Sequence, residues 1–141
     1  QDEGLNTYFQ FRYEAEKYRA NSVFGDAIPA EIKALPEKEF LSRLYNAMSN
    51  IPIKSGIDLP ANNFISSDDY RMTSYIKTAL WLFLLENEVG RDKMDKAFQY
   101  YFSQWSGKHP QPEDMKAAFE TSLGIKLDGY FQLLNKEGQF K

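Results

Sequence analysis

Cysteine is missing from this chain of 141 residues, and histidine occurs once. Without cysteine there are no disulfides and no thiolate metal sites. The one histidine, His109, stands between Lys108 and Pro110 in a link between helices. No Ser-His-Asp arrangement can be built on it, and a surface or structural role is expected. Long apolar runs are also missing. The longest, Ala79 to Leu85, falls well short of the ~20 residues a membrane-spanning helix needs. With a net charge of −3 and no basic cluster, nucleic acid is not an expected partner. No cationic amphipathic stretch points to a membrane surface. Glycine-rich phosphate loops and EF-hand loops are absent.

Aromatic residues are abundant: eleven Phe, nine Tyr and two Trp. That much aromatic surface favours a packed core or a partner interface over disorder. The length suits one domain. No segment alternates as a strand would, so the pattern predicts an all-α fold, a bundle of about five to six helices.

Helical periodicity and its punctuation set the expected elements. A first helix covers Asp2 to Arg19. Leu5, Tyr8, Phe9 and Arg12 share one face, and Glu3, Thr7, Gln10 and Glu14 form a wholly polar stripe. Gly25, Pro29 and Pro36 punctuate a loop with a short turn near Glu31. A second helix runs from Glu37 to Ser49, with Phe40, Leu41, Leu44, Tyr45 and Met48 inward. Residues 50–67 read as a long loop. A third helix begins near Asp68 or Asp69 and ends before Gly90; its centre, "ALWLFLL", is apolar all round and is expected to be buried. The fourth, Arg91 to Ser106, places Met94, Ala97, Phe98, Tyr101, Phe102 and Trp105 on one stripe. The fifth follows Pro112 and stops at Gly124. Asp128 is expected to cap a last short helix.

Two groups of residues suggest chemistry. Asp2 and Glu3 open the first helix. They complement the helix dipole, or Glu3 is a rigidly aimed metal ligand. Tyr70 and Tyr75 sit at the start of the buried helix. They pack as aromatics, or one presents its hydroxyl to developing oxyanion charge, a contribution of roughly 10²–10³ in rate.

Taken together, these segments resemble the aminopeptidase N-like family of gluzincin zinc metallopeptidases. "DEGLNTYFQFRYE" is similar to the segment written W-L-N-E-G-x-A-x-Y. Tyr70 to Lys77 resembles its next landmark, Y-x-x-x-x-Y-x-K, followed by an apolar helix and Gly90. "YYFSQWSGKHPQPEDMKAAFETSLGIKLDGYF" resembles the later helices of bacterial members. The resemblance implies the helical half of a thermolysin-like catalytic domain. It makes Glu3 the glutamate that joins two histidines on Zn²⁺, Tyr75 the oxyanion-stabilising tyrosine and Tyr70 a second tyrosine near the same site. Asn6, Thr7 and Gln10 would stand beside or behind the ligand, although many relatives carry an acidic residue where Gln10 stands. Bacterial relatives are often exported, which implies a periplasmic, envelope or secreted setting.

The departure is large, because H-E-x-x-H and the segment that recognises a substrate's amino terminus are both missing. Both would precede Gln1, so the chain reads as a fragment of a hydrolase that cleaves peptide substrates. Alone it is expected to be inactive and to hold no zinc tightly, since one carboxylate does not make a three-ligand site. A non-enzymatic helical interaction module and a pseudoenzyme are the alternatives. A domain cut from a larger one is also expected to self-associate through exposed apolar surface.

Overall fold

Helix α1 (Asp2–Tyr18) starts on two carboxylates and has Lys17 in its last turn, both favourable to its dipole, and Thr7 is its only β-branched residue. In the computed structural model, which describes residues 2–18, 25–48 and 53–140, the chain is all-α, with no strand among the described residues. The expected end of α1 at Arg19 and that of the second helix at Ser49 lie outside the described residues.

The short helix α2 (Ala30–Lys33) is the turn expected near Glu31, and α3 (Glu37–Met48) follows Pro36. A loop with a 3₁₀ turn at Ala61–Asn63 leads to α4 (Ser67–Arg71). Ser66 caps α4, its hydroxyl accepting from the Asp69 N–H at 3.1 Å, so the helix starts slightly earlier than expected. A π-helical segment, Met72–Lys77, then leads into α5 (Thr78–Val89). The sequence pattern carried no sign of that π segment. Next come α6 (Arg91–Trp105), α7 (Pro112–Leu123) and α8 (Asp128–Gln132). No helix among the described residues is long and apolar enough to cross a membrane.

Two compact units are present: residues 1–82 with 135–141, and residues 83–134. In the first, Ile53, Ile76 and Leu80 form a buried cluster, against which Leu41, Leu44, Tyr45 and Met72 pack. Phe11 and Phe40 meet at 5.9 Å between ring centroids. The buried stripe of α1 is Gly4, Thr7, Tyr8, Phe11 and Glu14, so two members of the polar stripe turn inward.

In the second unit, α6 and α7 pack through aromatic rings. Phe119 meets Phe98 edge-on at 5.0 Å and Tyr101 at 6.1 Å. Pro112 opens α7 behind a capping box of Gln111 and Asp114, and Gly124, at φ 68°, closes it. Two expectations need correction here. Phe102 is 45% exposed, because it lies on the flank of the stripe set by Met94, Ala97, Phe98 and Tyr101. Asp128 does not cap α8: Leu127 holds that position, and the Asp128 carboxylate instead pairs with Lys116. "ALWLFLL" is buried as expected apart from Leu84.

Candidate functional site

Gly4 decides where the site forms. A Cβ at this position would lie 2.2 Å from Thr78 Cβ and Cγ2 and 2.9 Å from the Ser74 carbonyl oxygen. Only a glycine lets the first turn of α1 press this closely onto the π segment. That approach brings the neighbouring Glu3 to the far stretch of chain carrying both candidate tyrosines. Tyr70 Oη donates to Glu3 Oε1 at 3.0 Å, across 67 residues of sequence.

The electrostatics of the pair follow from this bond. The Glu3 carboxyl lies below its ordinary value, held down by its own backbone N–H and by the Tyr70 hydroxyl against the opposing effect of burial. Tyr70 is pushed up, first by its hydrogen bond to Glu3 and then by the charge of that carboxylate. Tyr75 is near enough to raise it further, while the Ser74 hydroxyl acts in the opposite sense. Glu3 is therefore an ionised acceptor and Tyr70 a neutral donor at neutral pH.

Tyr75 occupies the π segment and is 40% exposed, whereas its neighbours Ser74 and Ile76 are buried. A π turn carries one more residue than an α turn and re-aims the side chains on it, which is one reason such turns recur at functional sites. The Thr78 hydroxyl, donating to the Thr73 carbonyl five residues back at 3.0 Å, supports the widened turn. Phe64 backs Tyr70, edge-on at 5.2 Å.

The remaining expected residues are less central. Thr7 Oγ1 donates to the Glu3 main-chain carbonyl at 2.8 Å, not to its carboxylate. Gln10 Nε2 donates to Glu14 at 3.0 Å, and Asn6 is exposed. His109 is exposed. Among the described residues no three His, Cys, Asp or Glu side chains gather to hold a metal ion.

Sequence reasoning missed Ser55, Asp69 and Lys77. Asp69 and Lys77 flank the tyrosines and are buried to 8% and 2% exposure. For Lys77 there was a signal to read: a lone charge at the entry to an apolar helix.

No protein-family model, curated protein or solved structure matches this chain. Geometry and side-chain chemistry carry the functional reading.

Proposed function

We propose that this chain is the helical part of the catalytic domain of an aminopeptidase N-like zinc metallopeptidase. The observation that carries the reading is the Tyr70–Glu3 hydrogen bond at 3.0 Å. A carboxylate fixed on a helix's first turn and oriented by a phenol is what a metal ligand requires. The two histidine ligands would come from residues outside this sequence. Zinc bound there would activate water and polarise a peptide carbonyl.

This chain's residues have distinct parts in that reading. Glu3 supplies one ligand oxygen. Tyr70 orients Glu3 by its hydrogen bond and, after the Glu3 backbone N–H, helps to hold the carboxyl below its ordinary value. Tyr75, solvent-facing, would donate its hydroxyl in a hydrogen bond to the oxygen that gains charge during peptide hydrolysis. Isolated, the chain should show no peptidase activity above blank and should self-associate through apolar surface such as Ile65, 68% exposed.

The test is the parent polypeptide. Reading the roughly 25 residues that precede Gln1 should reveal H-E-x-x-H. In that parent, Tyr75→Phe should lower kcat by about 10²-fold or more while zinc content holds. Glu3→Gln should lose the zinc. A parent with no H-E-x-x-H, or full turnover in Tyr75→Phe, overturns the proposal. A helical interaction module is the second reading, favoured by the exposed rings of Tyr100 and Phe102 on α6.

A further inference from the structure

Asp69 and Lys77 bracket Tyr70 and Tyr75 in sequence, and both reach the same loop residue. The Ser55 hydroxyl donates to Asp69 Oδ2, and Lys77 Nζ donates to the Ser55 carbonyl at 2.9 Å. The Lys54 N–H adds a bond to Asp69 Oδ1 at 3.1 Å. Lys77 also donates to the Lys136 carbonyl at 2.6 Å and lies 5.3 Å from the centroid of the Phe140 ring. One loop residue, 5% exposed, is thereby tied to both ends of the stretch that contains the π turn.

Ties of this kind cost desolvation. Apolar packing of similar volume is often at least as stabilising as a buried charged pair. A network of directed bonds specifies geometry in a way that apolar contact does not. The π turn needs such specification, because six residues of this helix depart from the α-helical pattern between two α-helical stretches.

We propose that Asp69, Ser55 and Lys77 form a buried bridge that sets the register of the π turn and so positions Tyr70 on Glu3 and Tyr75 beside it. These are positioning residues that act through the main chain of the turn. Their importance for peptide hydrolysis rests on the proposed function above; their effect on the tyrosines does not. The electrostatics agree with the geometry. Burial pushes Asp69 up, but hydrogen bonds from the Ser55 hydroxyl and from the N–H groups of Lys54, Ser55 and Ile65 outweigh it and hold it below its ordinary value. Burial lowers Lys77 to about 8, opposed by the charges of Asp69 and Glu137 and assisted by that of Lys136.

The experiment uses the full chain with Ser55→Ala, Ser55→Thr and Lys77→Met. Far-UV circular dichroism reports helix content. Ring ¹H–¹³C resonances of Tyr70 and Tyr75, at neutral pH and without metal, report their placement. Ser55→Ala should keep the helix content, move both ring resonances and speed amide exchange across 70–77 about tenfold. Ser55→Thr, which keeps a hydroxyl, should restore the parent spectrum, and Lys77→Met should move the same rings at least as far. Unmoved rings in folded Ser55→Ala, equal displacement in Ser55→Thr, or unfolding of Ser55→Ala would each overturn the bridge as a positioning device. A parent lacking H-E-x-x-H would sink the peptidase reading and leave these spectra unaffected.

Discussion

The two units bury different chemistry. Among the described residues, the buried polar and charged side chains (Thr7, Glu14, Ser55, Asp69, Thr73, Ser74, Lys77 and Thr78) all belong to the first unit. Residues 83–134 bury apolar and aromatic groups such as Phe83, Met94, Phe98 and Phe119. An unsatisfied buried polar group costs about 1–3 kcal/mol, and Thr73 Oγ1 has no partner among the described residues. The second unit therefore keeps its interior apolar and its polar ties, such as the Lys116–Asp128 pair, nearer the surface. The first accepts desolvation costs around one helix turn, the pattern expected where a fold holds a site.

Substitutions sharpen that contrast, and the largest effect is expected in the apolar unit. Phe119 is fully buried between Phe98 and Tyr101. Phe119→Ala should cost about 3–5 kcal/mol in urea unfolding and leave the Tyr70 and Tyr75 ring resonances of any folded fraction in place. Movement of those rings would break the contrast.

Gly4→Ala comes next. The added methyl meets Thr78 and the Ser74 carbonyl, a backbone atom that cannot swing aside. A loss of about 1–3 kcal/mol is expected, together with loss of the Glu3–Tyr70 coupling. An alanine variant as stable as the parent would show that α1 is free to shift at no cost.

A pH effect follows from Lys77. Its folded value, about 8, lies below the ordinary 10.5. As pH rises from 8 toward 10 the unfolded chain keeps a proton that the folded chain has released, so stability rises with pH in that window. A gain on the order of 1 kcal/mol is expected, and Lys77→Met should remove it. Asp69 works in the opposite range: its lowered value contributes stability above the ordinary carboxylate pKa, lost as pH falls through the folded value. A flat profile between pH 8 and 10 in the parent chain would argue that Lys77 is better solvated than its burial implies.

The smallest effect expected is that of Tyr70→Phe, about 0.5–1.5 kcal/mol for one partly exposed hydrogen bond. In a double-mutant cycle with Glu3→Gln the losses should be less than additive, since both changes remove the same contact. Strict additivity would mean that the bond contributes nothing in solution.

Much of this was legible in the linear pattern. Helix α7 runs from Pro112 to Leu123 with Gly124 behind it, as its punctuation implied, and α6 begins directly after Gly90. Glu3, Tyr70 and Tyr75 were marked as candidates by residue type, and the first two are hydrogen-bonded. The failures have local causes. Asp128 was a plausible cap by composition, yet its carboxylate pairs with Lys116 from another helix. Phe102 fitted an apolar stripe, but the buried part of α6 is Met94, Ala97, Phe98 and Tyr101, and Phe102 lies on its flank. Ser55 lay in what read as a long loop, of a length often pinned by neighbours, but no pattern along a chain marks a serine that will bind residues 14 and 22 positions away.

By itself the sequence determined that the fold is all-α and where α6 and α7 begin and end, because capping, glycine stops and apolar periodicity act within a few residues of one another. Only the tertiary structure decided the π turn, the crossing at Gly4 and the bridge through Ser55. Each of these depends on how closely two distant stretches of backbone approach, and that distance is set by packing rather than by any local preference.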